Sequence, residues 1–209
     1  MTVKLVGSSS GSVALDAPAS TTGGANIEFK LPVADGSANQ LLKTDGSGNL
    51  GWATDQGGTF ASYALLVDLR PAASANLGAF TSGAWRTRDI NTELADPDSI
   101  VTLNANQFTL QAGSYLIRHT QVAYAVNRLA VRLRNITDST DAGVAQAAYY
   151  NNGAGNMWST TGVARVVISS AKTFELQGQV EVTKSANGFG FTMITGEATT
   201  SIVEIYKEA

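Results

Sequence analysis

Apolar and polar residues alternate along most of the C-terminal part of the chain. From Phe174 to Val182, small or apolar residues take every second position, with Glu and Gln between them. Leu129, Val131 and Leu133 alternate with arginines in the same way. A period of two is typical of a strand with one buried face. Similar stretches, about 8 to 12 residues apart as in sandwiches and barrels, cover 63–69, 100–110, 115–124, 163–168, 189–194 and 202–206.

No window has a convincing helical period. Residues 87–95 leave room for a helical turn or two at most, because Pro97 would then end a helix. The sequence therefore predicts an all-β head over residues 61–209.

The first 60 residues differ in texture, being rich in Gly, Ser, Thr, Ala, Asn and Asp. Ile27, Phe29 and Leu31 alternate with polar residues and predict a strand, and shorter alternations occur at 3–5 and 13–15. Asp-Gly pairs at 35–36 and 45–46 favour tight turns. Short ribbons of this kind cannot close a sizeable core by themselves.

Identical chains wound about a common axis would bury the apolar residues of this segment together. We therefore expect residues 1–60 to form an extended β stem or virion-docking arm with Ile27, Phe29 and Leu31 in its core. A flexible Gly/Ser linker is the alternative.

Composition narrows the classes of function. The chain has 209 residues, of which 44% are hydrophobic and 15% charged, and its net charge is −3. This is enough apolar material for a core, and the absence of a basic block argues against a nucleic-acid partner. The chain has no cysteine, which excludes disulfides and cysteine-held metals. It also has no run of 18 apolar residues, so we expect no membrane insertion.

Residues 11–54, GSVALDAPASTTGGANIEFKLPVADGSANQLLKTDGSGNLGWAT, resemble a module of tail-fibre and other structural proteins of bacteriophages, notably those of cyanobacteria. In such proteins the module precedes a distal domain. The resemblance implies a virion appendage that is made in the host cytoplasm.

Residues 87–124, TRDINTELADPDSIVTLNANQFTLQAGSYLIRHTQVAY, are similar to the entry into the complement and tumour-necrosis-factor-like jelly roll. Phe108, Leu110, Gly113, Tyr115 and Ile117 match its pattern of an aromatic residue, a glycine turn and a tyrosine-bearing strand. The resemblance implies a jelly-roll β-sandwich and a homotrimer with its inner sheets facing a threefold axis. The chain lacks a collagen stalk, so the ligands of vertebrate members are not carried over.

Catalytic chemistry finds little support in the sequence. The G-x-S-x-G pattern at 7–11 lacks the strand, helix and partner residues that a nucleophile elbow needs. His119 is the only histidine. A zinc site normally needs several nitrogen or sulfur ligands, so His119 alone does not predict one. We predict no catalytic residue, no metal and no cofactor. Two pairs of loop carboxylates, Asp96 with Asp98 and Asp138 with Asp141, are either turn formers or ligands for a hard cation.

Two sets of residues are candidates for contacts with partners. The first is a loop rich in aromatic and amide side chains, which suits contact with a receptor glycan or protein surface: Tyr149, Tyr150, Asn151, Asn152 and Trp158, with Trp85 as a further member. The alternative is that the ends of this loop fill the core and its tip is only solvated. The second is the trimer interface, for which the inner strand 115–124 supplies Tyr115, His119 and Tyr124. The bland alternative for His119 is a hydrogen-bonded core histidine.

These features favour a non-enzymatic trimeric tail-fibre or spike component, with other virion proteins of the tail or baseplate as partners and a host surface glycan as a further candidate. A trimeric capsid decoration or cement protein is the alternative, because an extended arm can also add strands to neighbouring subunits. A polysaccharide-degrading enzyme is the third class, disfavoured by the missing catalytic constellation.

Overall fold

The computed structural model describes residues 3–6, 12–15, 18–55, 58–149, 155–192 and 196–209. The chain divides into two units, Met1–Asp55 and Gln56–Ala209. Each is described by itself below.

The described residues of the N-terminal unit form two small antiparallel pairs and one short 3-10 helix, Thr22–Gly24. β1 (Val3–Val6) pairs with β2 (Ser12–Leu15), as the short alternations predict. β3 (Gln40–Thr44) and β4 (Leu50–Thr54) form a hairpin. The Asp45 carboxylate closes its loop by accepting hydrogen bonds from Ser47 N at 2.7 Å and from Asn49 Nδ2 at 2.6 Å. The hydrogen bond from Asn49 is the main reason why the pKa of Asp45 lies below its ordinary value.

The prediction of a strand over residues 27–31 is wrong. Within this stretch only Lys30 forms a β bridge, to Asn49. The Lys30 amide donates to Gly48 O at 2.9 Å, and its carbonyl accepts from Leu50 N at 2.8 Å, so Lys30 provides the backbone hydrogen bonds between this segment and the hairpin. The predicted core residues Ile27, Phe29 and Leu31 are 62%, 60% and 74% exposed in the single chain.

The described residues of the C-terminal unit form eleven strands. In chain order they are β5 (Phe60–Arg70), β6 (Arg86–Thr87), β7 (Thr92–Ala95), β8 (Val101–Asn104), β9 (Gln107–Leu110), β10 (Gly113–Tyr124), β11 (Arg128–Asn135), β12 (Thr140–Tyr149), β13 (Met157–Ile168), β14 (Lys172–Val180) and β15 (Ala198–Glu208). The described residues of this unit contain no helix, and β6 and β7 occupy most of the stretch for which a helical turn was considered.

Two antiparallel sheets form a jelly-roll sandwich. Sheet I has the strand order β13-β10-β15-β5-β7, and sheet II has the order β12-β11-β14-β9-β8, with β6 added beside β14. After β9, the chain enters sheet I for β10, returns to sheet II for β11 and β12, and then alternates between the sheets from β13 to β15. Such alternation between two packed antiparallel sheets defines the jelly roll. The predicted all-β jelly-roll fold is confirmed.

Three details differ from the sequence prediction. The stretch 100–110 is two strands, because Ala105 and Asn106 both have positive φ and make the tight turn between β8 and β9. Residues 189–192 lie outside any strand, and 193–195 fall outside the described residues. Strand β12 was not predicted.

The interior contains two apolar clusters. The larger one is centred on Phe108, Tyr115, Ile117, Phe174 and Leu176, and the smaller one contains Phe80, Ala123, Val126, Leu129, Val131 and Val180. Between them, buried polar side chains face inward from sheet I. Thr160, Gln121 and Ser201 form one row across β13, β10 and β15, with His119 two residues along β10. We call these four residues and Arg88 the polar layer.

Candidate interaction surfaces

The outward face of sheet I is largely apolar. Along β10, Tyr115, Ile117, His119, Gln121 and Ala123 are buried, and the alternate residues point away from the sandwich. The apolar residues among these outward positions and the matching ones of β5, β13 and β15 make what we call the apolar sheet face: Tyr63, Leu65, Leu116, Val122, Tyr124, Met157, Val163, Val167, Ile202 and Tyr206. Ser114, Thr120, Ser159 and Thr161 are uncharged polar residues between them.

Charges on this face are paired with one another. Arg118 Nε lies 3.5 Å from Glu204 Oε2, and Arg165 binds Glu208 through two hydrogen bonds of 2.7 and 2.6 Å. The latter hydrogen bonds raise the pKa of Arg165 and lower that of Glu208. The face is therefore close to neutral as well as apolar, which suits contact with another protein surface better than permanent exposure to water.

The outward face of sheet II has the opposite character, and we call it the polar sheet face. The alternate residues of β11 are Arg128, Ala130, Arg132 and Arg134, beside glutamines and a glutamate on β14. Arg132 donates from Nε to Gln177 Oε1 at 2.8 Å. Gln177 in turn donates to Glu175 Oε1 at 2.6 Å. This chain of hydrogen bonds fixes the planar groups of the face.

Two arginines of the polar sheet face stack on aromatic rings. The Arg132 guanidinium lies 4.1 Å from the centre of the Trp85 ring, and Arg128 lies 5.5 Å from that of Tyr149. Both distances are within the range of cation–π contact. These stacks join residues that the sequence separates by 47 and 21 positions.

The candidate loop is only partly within the described residues. Tyr149 ends β12 and is 60% exposed, which keeps it available to a partner. Trp158, near the start of β13, is half-buried against the smaller apolar cluster. Trp158 therefore packs into the core, as expected if the ends of the loop fill the core. Tyr150, Asn151 and Asn152 lie outside the described residues.

Two of the three trimer candidates lie inside the sandwich. Tyr115 is 0% exposed and donates its hydroxyl proton to Gln111 O at 3.0 Å, and its burial raises its pKa. His119 is 2% exposed, and its ring covers Gly162, where an added Cβ would lie 2.4 Å from His119 Nε2. Both side chains therefore face the interior of the single chain, and the alternate residues of β10 are the ones that point outward. Tyr124 does point outward, against the ring of Phe191.

Burial of His119 and Arg88 disfavours the charged form of each side chain. Burial lowers the pKa of His119 to about 4 and that of Arg88 to about 10. Arg88 donates from Nη2 to Val122 O at 3.0 Å and to Phe189 O at 3.3 Å. Within the described residues, its Nε and Nη1 atoms have no hydrogen-bond partner. Sequence reasoning missed this arginine, which has no local signal for burial.

The loop aspartates behave as turn formers. Both Asp96 oxygens accept backbone amide hydrogen bonds at 2.9 Å, from Ile100 and Val101, and Asp98 accepts from Ser62 at 2.5 Å. Asp138 is bound by Lys172 at 2.6 Å, which is the chief cause of its lowered pKa.

Asp141 lies between two arginines. Arg132 and Arg134 approach its oxygens at 3.0 and 2.7 Å. Although burial acts to raise the pKa of Asp141, these arginines hold it below its ordinary value. In the part of the chain that the structure describes, no three acidic or histidine side chains gather as a metal site. The G-x-S-x-G pattern at 7–11 lies outside that part.

No protein-family profile and no curated protein sequence matches this chain. Solved structures similar to it include the globular domain of zebrafish complement 1qA (11% identity, TM-score 0.43, 69% of this chain and 94% of that one). Murine APRIL is similar at 11% identity and a TM-score of 0.44, over 70% and 98% of the two chains. Eiger TNF from S. frugiperda has 12% identity and a TM-score of 0.45, over 73% and 94%. The strand order above carries the fold assignment.

A search of the described residues for membrane spans finds no helix of sufficient length and hydrophobicity to cross a bilayer.

Proposed function

We propose that this chain is a non-enzymatic structural protein of a phage virion, a homotrimer that serves as a tail-fibre or spike component. The observation that carries the proposal is uncovered apolar surface on both units. None of residues 18–55 is buried, and that segment exposes Ile27, Phe29, Leu31, Val33, Leu41, Leu42 and Trp52.

A segment without a buried residue gains almost nothing from the hydrophobic effect on its own. Other copies of the same chain can cover these apolar residues, because each copy offers the same apolar surface. Closed, symmetric rings of identical chains are the usual form of such assemblies. The apolar sheet face of the C-terminal unit is the corresponding surface of the head. Its paired charges, Arg118–Glu204 and Arg165–Glu208, allow it to be buried without an unmatched charge.

Our assignment of the protein to a phage virion rests on the resemblance of residues 11–54 to a phage appendage module. The partners are then tail or baseplate proteins that hold the N-terminal unit, and the head contacts the host. A second location, on the capsid as a decoration or cement protein, is favoured by the extended and exposed stretch around Lys30, which makes only one β bridge and can add to a neighbouring sheet.

Light scattering of the purified chain tests the assembly, and electron imaging of antibody-labelled phage particles tests the location. A mass of three chains with label at tail or fibre tips supports the proposal. A trimer spread over the shell would move the protein to the capsid. A stable monomer, or label absent from purified particles, would refute the proposal.

A further inference from the structure

On the polar sheet face, two arginine–aromatic stacks flank a row of residues that contains two alanines. Ala147 on β12 pairs with Ala130 on β11, which pairs with Gln179 on β14. Arg128 and Arg132 lie two residues to either side of Ala130, so about 13 Å separates their positions along the strand. We call this surface the outer groove, and it consists of Ala130 and Ala147 as floor, Arg128 with Tyr149 as one wall and Arg132 with Trp85 as the other.

Both walls present an aromatic ring stacked on a guanidinium group. The Trp85 side is held firmly, because its stacking partner Arg132 is itself bound by Gln177 at 2.8 Å and by Asp141 at 3.0 Å. Side chains that are already ordered lose little entropy when they bind a ligand. Tyr149, 60% exposed, is the accessible side.

Charge on the walls is compensated locally. Arg128 lies 3.8 Å from Glu181, and Arg132 lies 3.0 Å from Asp141. A polyanion would therefore gain little from this surface. A pyranose ring suits it, because the ring offers an apolar C–H face to an aromatic side chain and hydroxyl groups to guanidinium and amide side chains. The span between the walls corresponds to about two or three such rings.

We propose that the outer groove binds a short neutral oligosaccharide, with Trp85 and Tyr149 stacking on sugar rings at its two ends. This inference rests on the proposed function, for which it names the host-contacting site, and it places that site on the outer sheet instead of on the loop alone.

Saturation-transfer NMR on the intact chain tests the inference with four probes: mannotriose, maltotriose, chitotriose and, as an acidic comparison, trigalacturonate. We expect transfer to at least one neutral trisaccharide. Trp85→Ala and Tyr149→Ala should each weaken its binding about tenfold or more, as truncation of a central aromatic contact commonly does. Ala130→Leu, which fills the floor and keeps both aromatics, should abolish binding.

Val144→Ala is the control, since it truncates an exposed side chain of β12 five residues from Tyr149 and should leave the affinity unchanged. Circular dichroism and mass measured on the same samples verify that each variant folds and assembles. No transfer to any neutral probe, equal binding by the groove variants and wild type, or a preference for trigalacturonate would each overturn the inference. If the trimer mass persists in those cases, the groove assignment fails while the proposed function stands.

Discussion

The two sheets of the sandwich distribute their polarity in opposite ways. Sheet II follows the usual arrangement, with arginines and glutamines such as Arg132 and Gln177 outside and Val131 and Phe174 inside. Sheet I exposes Val163 and Val167 on its outward side and buries polar residues of the polar layer inside. An apolar outer face is costly only while water covers it. The difference therefore indicates which sheet meets other protein surfaces and which meets solvent.

A charge placed on the apolar sheet face should give the largest effect. Ile202→Glu adds a carboxylate two residues from Glu204 on the same face of β15. If copies of the chain bury this face, each carries an unpaired buried charge that costs about 3 to 5 kcal/mol. Light scattering at micromolar concentration should then show monomers.

Thr102→Glu on the exposed side of β8 in sheet II is the control and should leave the mass unchanged. An Ile202→Glu protein that stays trimeric would show that sheet I does not form the interface.

Acid should lower the folded stability mainly through His119, on the interior side of sheet I. The pKa of His119 is about 4 in the folded chain, against an ordinary value of 6.5. Between these values the unfolded chain binds the additional proton, so folded stability is complete above pH 6.5 and falls as the pH drops towards 4. The full loss is about 3 kcal/mol.

Urea unfolding at pH 7 and pH 4.5 measures this loss. The variant His119→Met should have a clearly smaller difference between the two pH values than wild type, with the remainder due to carboxylates such as Asp138 and Asp141. Equal pH dependence in both proteins would contradict the assignment to His119.

Two isosteric exchanges compare the interior sides of the sheets directly. Val131→Thr places a hydroxyl in the apolar interior of sheet II and should cost about 1 to 3 kcal/mol of unfolding free energy. Thr160→Val removes from sheet I a buried hydroxyl that has no hydrogen-bond partner among the described residues, and should change stability by less than about 1 kcal/mol. Chemical denaturation measures both, and equal losses would mean that the two interiors tolerate polar groups alike.

The sequence was a good guide wherever alternation is strong and local. Strands β11 and β14 could be predicted because apolar residues mark every second position on their inward faces, from Leu129 to Leu133 and, apart from Gly178, from Phe174 to Val180. β12 could not, since its sequence TDAGVAQAAY consists largely of Ala and Gly, which have low β-propensity. It forms because β11 supplies a hydrogen-bonding edge.

Alternation alone does not say which face of a strand points inward. On β10 both faces contain aromatic and polar residues, and for that reason Tyr115 and His119 were predicted for the interface when they belong to the interior. The outer groove is invisible in the sequence for a different reason. Trp85 reaches Arg132 only through the lateral order β6-β14-β11, a set of non-local pairings that no short window contains.

The polar layer also affects how this head can change over generations. It separates the larger apolar cluster around Phe108 and Phe174 from the smaller one around Phe80 and Val180. Side chains more than about 7 to 10 Å apart that share no partner contribute nearly additively to stability. A substitution in the smaller cluster therefore needs no compensating change in the larger one where the residue has no neighbour in that cluster or in the polar layer. Val131 does not meet this condition, because Leu133 of the larger cluster lies two residues away on the same face of β11.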